Sequence, residues 1–159
     1  MPEMFPTGVG ITKIKGVLKI IGEYEGSISM SALADETNEQ IDDLLPLLKA
    51  CEMLGYTEEN GGTVRFKQQP QPPITRSAFL SNAREKLPSM EPFKTVLRLV
   101  EENKAMTTAE LAEKLSELGM PASYDPAQNE HDIREYLMKW GIRLKLLKYR
   151  SKKDEWYIK

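Results

Sequence analysis

The side chains able to do chemistry in this 159-residue chain are few and scattered. His131 is its single histidine and Cys51 its single cysteine. Neither has a partner at a spacing that builds a zinc site or a Cys–His dyad. Gly8-Val9-Gly10, near Lys13, lacks the spacing of a phosphate loop and has no evident incoming strand. The acidic pairs Asp42-Asp43, Glu58-Glu59 and Glu101-Glu102 are adjacent in sequence, so on a helix they point to different sides and make no acid–base dyad. We therefore expect no catalytic residue, no metal, no cofactor and no enzyme activity. Cys51 lies near Leu48 and Leu54 and is expected as a small core residue.

Charge is the more informative feature. The net charge is −2, yet residues 131–159 carry nine Lys/Arg and four Asp/Glu, or +5, leaving −7 on the rest. Such asymmetry is the mark of a polyanionic partner, or of a solvated basic surface offsetting acidic neighbours. Arg143, Lys145, Lys148, Arg150, Lys152 and Lys153 are the candidate contacts to a nucleic-acid backbone. Contacts of that kind are salt-dependent and read little sequence.

The composition, 40% hydrophobic and 29% charged, suits a globular core with a solvated surface. No apolar run approaches the roughly 18 residues of a membrane span, so no insertion is expected. The first residues lack the apolar core of a signal peptide. A lone cysteine fits a reducing, cytoplasmic setting.

Periodicity supplies the elements that would position these charges. Ile11, Ile14, Val17, Leu18 and Ile21 share one face of a helix over 11–24. Ser29 is a good N-cap for a short helix to about Glu36, and Thr37-Asn38-Glu39-Gln40 reads as a capping box for a third. That third helix turns Ile41, Leu44, Leu45, Leu48 and Met53 inward, is interrupted by Pro46, and ends at Gly55. Asn60-Gly61 then marks a hairpin, with Val64 and Phe66 alternating with Thr63 and Arg65. Three prolines within residues 68–74 make a linker, and a connecting helix with Phe79, Leu80, Ala83 and Leu87 follows.

From Pro92 the plan repeats. Val96-Leu97 answers Val17-Leu18, Thr107 answers Ser29, and Leu111-Ala112 answers Leu33-Ala34. Thr107 and Glu110 again form a capping box. Residues 119–129 read as an inserted loop. A long helix from about His131 and a hairpin turning at Ser151–Asp154 complete the copy, with Trp156 and Ile158 in the places of Val64 and Phe66. The expected fold is mainly α, an α+β arrangement of tandem winged-helix units. Each has three helices and a β-hairpin, at 1–67 and 91–159, joined by a Pro-rich linker and connecting helix at 68–90.

The last helix carries two apolar stripes. Ile133, Leu137, Trp140, Leu144 and Leu147 should face the core, while Met138, Ile142 and Leu146 lie on roughly the opposite side. The second stripe is the candidate interface with a partner or a second copy, making a homodimer the expected state. Residues 142–146 also alternate like a strand. The internal repeat aligns them with 49–53, which favours helix.

Three stretches carry a resemblance: Leu44-Leu45-Pro46-Leu47-Leu48 running on to Leu54-Gly55-Tyr56, Thr75-Arg76 with Phe79, and Trp140-Gly141 with Arg143 leading to Tyr149. Together they resemble the C-terminal AAA-associated domain, found fused behind ATPase subunits of nitrate/sulfonate/bicarbonate-type ABC transporters and also as separate proteins. The resemblance spans about Ile11 to Ile158 and implies a helical, winged-helix-like regulatory module without catalytic residues. One departure is that Arg150 follows Tyr149, where the family often has Asp. Two functions follow as expectations. One is a transcription-regulator-like protein that binds double-stranded DNA through the basic second unit. The other is a protein-interaction module serving a transporter ATPase and binding no nucleic acid.

Overall fold

The computed structural model describes residues 4–69 and 71–158. Residues 1–3, Pro70 and Lys159, which fall within the expected units and linker, lie outside the described residues. The fold is α+β and mainly helical, with two small antiparallel sheets. It divides into two compact units. One is Gly8–Thr75; the other runs from Arg76 onward and includes the segment before Gly8.

The first unit contains α1 (Ile11–Glu23), β1 (Ser27–Ser29), α2 (Met30–Thr37), α3 (Ile41–Met53), β2 (Thr57–Asn60) and β3 (Thr63–Phe66). The apolar face expected of α1 is buried, with Ile11, Ile14, Val17, Leu18 and Ile21 all inside. It meets Leu33 of α2 and Leu44, Leu47, Leu48 and Cys51 of α3 in one core, floored by Ile28, Val64 and Phe66. Ser29 caps α2 by accepting from the Ala32 amide at 3.1 Å.

Five expectations change here. The sheet has three strands in the order β1-β3-β2, since Ser27–Ser29 pairs with Arg65–Thr63. The capping box at Thr37 is absent. Thr37 belongs to α2, its hydroxyl donates to Leu33 O at 2.8 Å, and Asn38 takes the left-handed conformation that ends the helix. Pro46 does not interrupt α3, which is continuous around it. Ile41 and Leu45 face outward, 44% and 50% exposed, whereas Leu47 is buried instead. The turn between β2 and β3 is Gly61-Gly62, not the expected Asn60-Gly61: Asn60 ends β2, and the glycines take φ of +56° and +85°, conformations that cost them little.

The second unit contains α4 (Arg76–Lys86), a 3₁₀ turn (Leu87–Ser89), α5 (Phe93–Asn103), β4 (Ala105–Thr107), α6 (Thr108–Glu117), α7 (Pro126–Tyr136), a π-helical continuation (Leu137–Ile142), β5 (Lys148–Arg150) and β6 (Glu155–Tyr157). Its sheet runs β4-β6-β5, so the order of elements from α5 repeats that of the first unit. The capping box at Thr107 is present, with reciprocal bonds of 3.1 and 2.9 Å to Glu110. Trp156 occupies the register position of Val64, opposite Met106 as Val64 is opposite Ile28. Ile158 is exposed, unlike Phe66. Helix α7 begins at Pro126, not near His131, because Asp125 caps it and proline is tolerated in a first turn. The inserted loop is correspondingly shorter. Asn129 ties it down by accepting from the Ala122 and Ser123 amides at 2.7 and 3.2 Å.

The core stripe Ile133, Leu137, Trp140, Leu144 and Leu147 is buried as expected. An aromatic cluster surrounds it. Phe5 meets Trp140 edge-on at 5.0 Å between centroids, and Phe93 meets Tyr136 at 4.9 Å. Phe5 comes from the N-terminal segment, where no periodicity marks it. Its amide donates to Glu91 O at 2.7 Å.

Helix does not extend through 147. It stops at Ile142, and residues 143–147 form a turn in which Lys145 has φ +60°. The amides of Lys145 and Leu146 donate to Ile142 O and Gly141 O at 3.0 and 2.9 Å. The same pair of bonds closes α3, from Gly55 to Glu52 O and from Tyr56 to Cys51 O, both 3.0 Å. The structural repeat thus sets 142–146 against 52–56, not against 49–53. The helix ends by a Schellman turn whose left-handed residue is Lys in one copy and Gly in the other.

Candidate interaction surfaces

Among the described residues no group of three His, Cys, Asp or Glu is placed to hold a metal ion. No helix among them is long and apolar enough to cross a membrane. Cys51 is wholly buried, and burial pushes its thiol up to about 12, far from a nucleophile's range. His131 is exposed on α7. The surfaces left to describe are three.

The first is the basic end of the second unit. Its hairpin is held by one carboxylate. Asp154, at the tight turn before β6 with φ +49°, accepts from Arg134 Nε and Nη2 at 3.1 and 2.5 Å. It also accepts from Tyr149 Oη at 2.5 Å and Thr108 Oγ1 at 2.7 Å. Thr108 Oγ1 accepts in turn from buried Trp156 Nε1 at 2.8 Å. Arg134, above all, and then the two hydroxyls hold the Asp154 carboxyl at about 2. Asp154 in turn raises the pKa of both Arg134 and Tyr149. Arg134 also pairs with Glu130 at 3.0 Å, so it is spent inside the unit.

Of the six candidate backbone contacts, Arg150 is likewise engaged. It pairs with Glu155 at 2.8 Å and lies 3.9 Å over the Tyr157 ring. Arg143, Lys145, Lys148, Lys152 and Lys153 are exposed, and none makes an ion pair among the described residues. The outer face of α7 is not basic, because Glu130, Asp132 and Glu135 accompany it.

The second surface holds the apolar trio. Ile142 is 37% exposed, while Met138 and Leu146 are half-buried. The trio straddles the end of the π-helix, so it is not a continuous helical stripe. Gly141 beside it packs closely: a Cβ there would lie 3.1 Å from Leu147 Cδ1, so Leu147 would have to shift.

The third surface was not singled out by residue in the sequence, because its members read as core. On α3, Ile41 and Leu45 stand one turn apart in solvent, next to Asp42 and Asp43. Leu45 borders a hollow of about 270 Å³ lined also by Met30, Leu48, Lys49, Glu52, Glu58 and Glu59, with Glu58 paired to Arg65 at 2.8 Å. The result is an apolar patch rimmed by carboxylates.

The family model described as C-terminal AAA-associated domain matches residues 31–150 of the chain. No curated protein and no solved structure matches it.

Proposed function

Because the chain belongs to the C-terminal AAA-associated domain family, we propose that it is a non-enzymatic, tandem winged-helix regulatory module that works in the cytoplasm by protein–protein contact. Its partner class is the ATPase subunit of an ABC transporter. The repeated order of helix, strand, two helices and hairpin supports the winged-helix reading. One observation carries the rest. The helix that would enter a DNA groove in the first unit, α3, presents Ile41 and Leu45 among carboxylates. Carboxylates there repel a phosphate backbone, whereas an exposed apolar pair with an acidic rim suits a partner segment of basic amphipathic character.

The test is calorimetric titration of the full chain with a purified ATPase subunit of this transporter type from the same source. Leu45→Lys should weaken binding at least tenfold while leaving the circular dichroism spectrum and melting temperature unchanged, since the site is half in solvent. No binding, or binding indifferent to Leu45→Lys and Ile41→Lys, overturns the proposal.

A second reading rests on the exposed Lys145, Lys148, Lys152 and Lys153, a cluster free to meet double-stranded DNA without reading its sequence. Duplex binding at about 50 mM salt that weakens steeply by about 200 mM, and is lost in Lys152→Glu/Lys153→Glu, would favour it. Self-association as a homodimer through Met138, Ile142 and Leu146 belongs to either reading. Ile142→Glu should then shift the sedimentation profile toward monomer.

A further inference from the structure

A groove of about 420 Å³ lies within the first unit, between α1 and the segment 71–74. We propose that it binds an amphipathic carboxylate, specifically a medium-chain fatty acid. The apolar walls are Leu18, Phe66, Pro72, Pro73 and Ile74. The floor is open because Gly16 and Gly22 contribute no side chain: a Cβ at Gly16 would meet nothing within 4 Å, and one at Gly22 only the Phe66 ring at 3.9 Å. Lys15 and Lys19, one helical turn apart, also line it, and neither is ion-paired among the described residues. An apolar slot bordered by two ammonium groups that make no ion pair among the described residues selects a ligand with an acyl tail and an anionic head, while the Gln71 amide is held by Pro72 O at 3.2 Å. The prolines restrict the far wall before any ligand arrives, which lowers the cost of ordering it on binding. The volume lies in the range of small-molecule sites. This site is independent of the partner surface on α3 and stands or falls without it.

The experiment is isothermal titration of the full chain with octanoate, decanoate, decanol and decylammonium, each below its micelle concentration. Decanoate should bind saturably and roughly three- to fourfold tighter per added methylene than octanoate. Decanol should bind at least tenfold more weakly, and decylammonium not at all. Lys15→Glu/Lys19→Glu should remove binding by reversing the charge. Gly16→Leu should remove it by filling the slot, while raising the melting temperature, because leucine is the better helix former. Absence of saturable binding by any carboxylate overturns the proposal. So does equal binding of decanoate and decylammonium, or a Gly16→Leu variant that binds as the native chain does. A Gly16→Leu variant altered in self-association but not in decanoate binding would assign the groove to a second copy instead.

Discussion

Replacing Asp154 by Asn removes one charge from the most connected polar group of the second unit while keeping its shape. Asn also tolerates the left-handed backbone at this position, φ +49°, so the turn is kept while the charge and one acceptor oxygen are lost. Arg134 and the two hydroxyls lower the carboxyl from 3.8 to about 2. At about 1.36 kcal/mol per unit this amounts to roughly 2.4 kcal/mol. The Asp154 side chain is 33% exposed, so solvent screening reduces the usable part to about 1 kcal/mol. For a unit of this size about 1 kcal/mol corresponds to a fall of roughly 4–8 °C in melting temperature. The assay is tryptophan fluorescence, because Trp140 and Trp156 are the chain's two tryptophans and both are buried in this unit. The pH dependence has a defined sign. The folded pKa is depressed, so the stabilisation is fully present above the unfolded value near 3.8 and is lost as pH falls through about 2. The gap between native and Asp154→Asn proteins should therefore be constant from pH 7 to about 5 and close on further acidification. A variant that melts within 1 °C of the native protein at pH 7, or a gap that persists unchanged near pH 2, would refute the assignment of the hairpin's stability to this carboxylate.

Three further outcomes follow from the packing. Thr108→Val strands both the Trp156 indole N–H and one side of Asp154, and should cost about 2 kcal/mol in the same fluorescence melt. Phe5→Ala removes a wholly buried ring from beside Trp140 and should cost about 3–4 kcal/mol, with a red-shifted Trp emission in the folded state. Gly141→Ala should destabilise by about 1 kcal/mol in urea titration, because the new Cβ crowds Leu147 in a packed site by more than the gain in helix propensity offsets.

Much of the fold is legible in the chain because local physics encodes it. Helix faces follow from the spacing of Ile14, Val17 and Ile21 or of Ile133, Leu137 and Trp140, and both N-caps, Ser29 and Thr107, are where their hydroxyls predict. The strands Ser27–Ser29 and Ala105–Thr107 were missed, since three residues are too few to display an alternation. They exist because β3 and β6 offer them a free edge. The Thr37 capping box failed through competition: the same hydroxyl found Leu33 O within its own helix. The end of the last helix failed for a related reason. Lys145 carries a left-handed turn that its copy, Gly55, announces by its residue type and that lysine does not.

The sequence alone determines the order of the helices, the Pro-rich break, the caps at Ser29 and Thr107 and the basic end, since each depends on neighbours within a few residues. Tertiary structure decides what is exposed. Periodicity says that α3 has an apolar face, but only packing against α1 fixes its rotation, burying Leu44 and Leu48 and turning Ile41 and Leu45 to solvent. It likewise decides which charges are free. Arg134 and Asp154 are twenty residues apart, and only the folded hairpin brings them together, so the chain's basic segment has less available charge than its composition states.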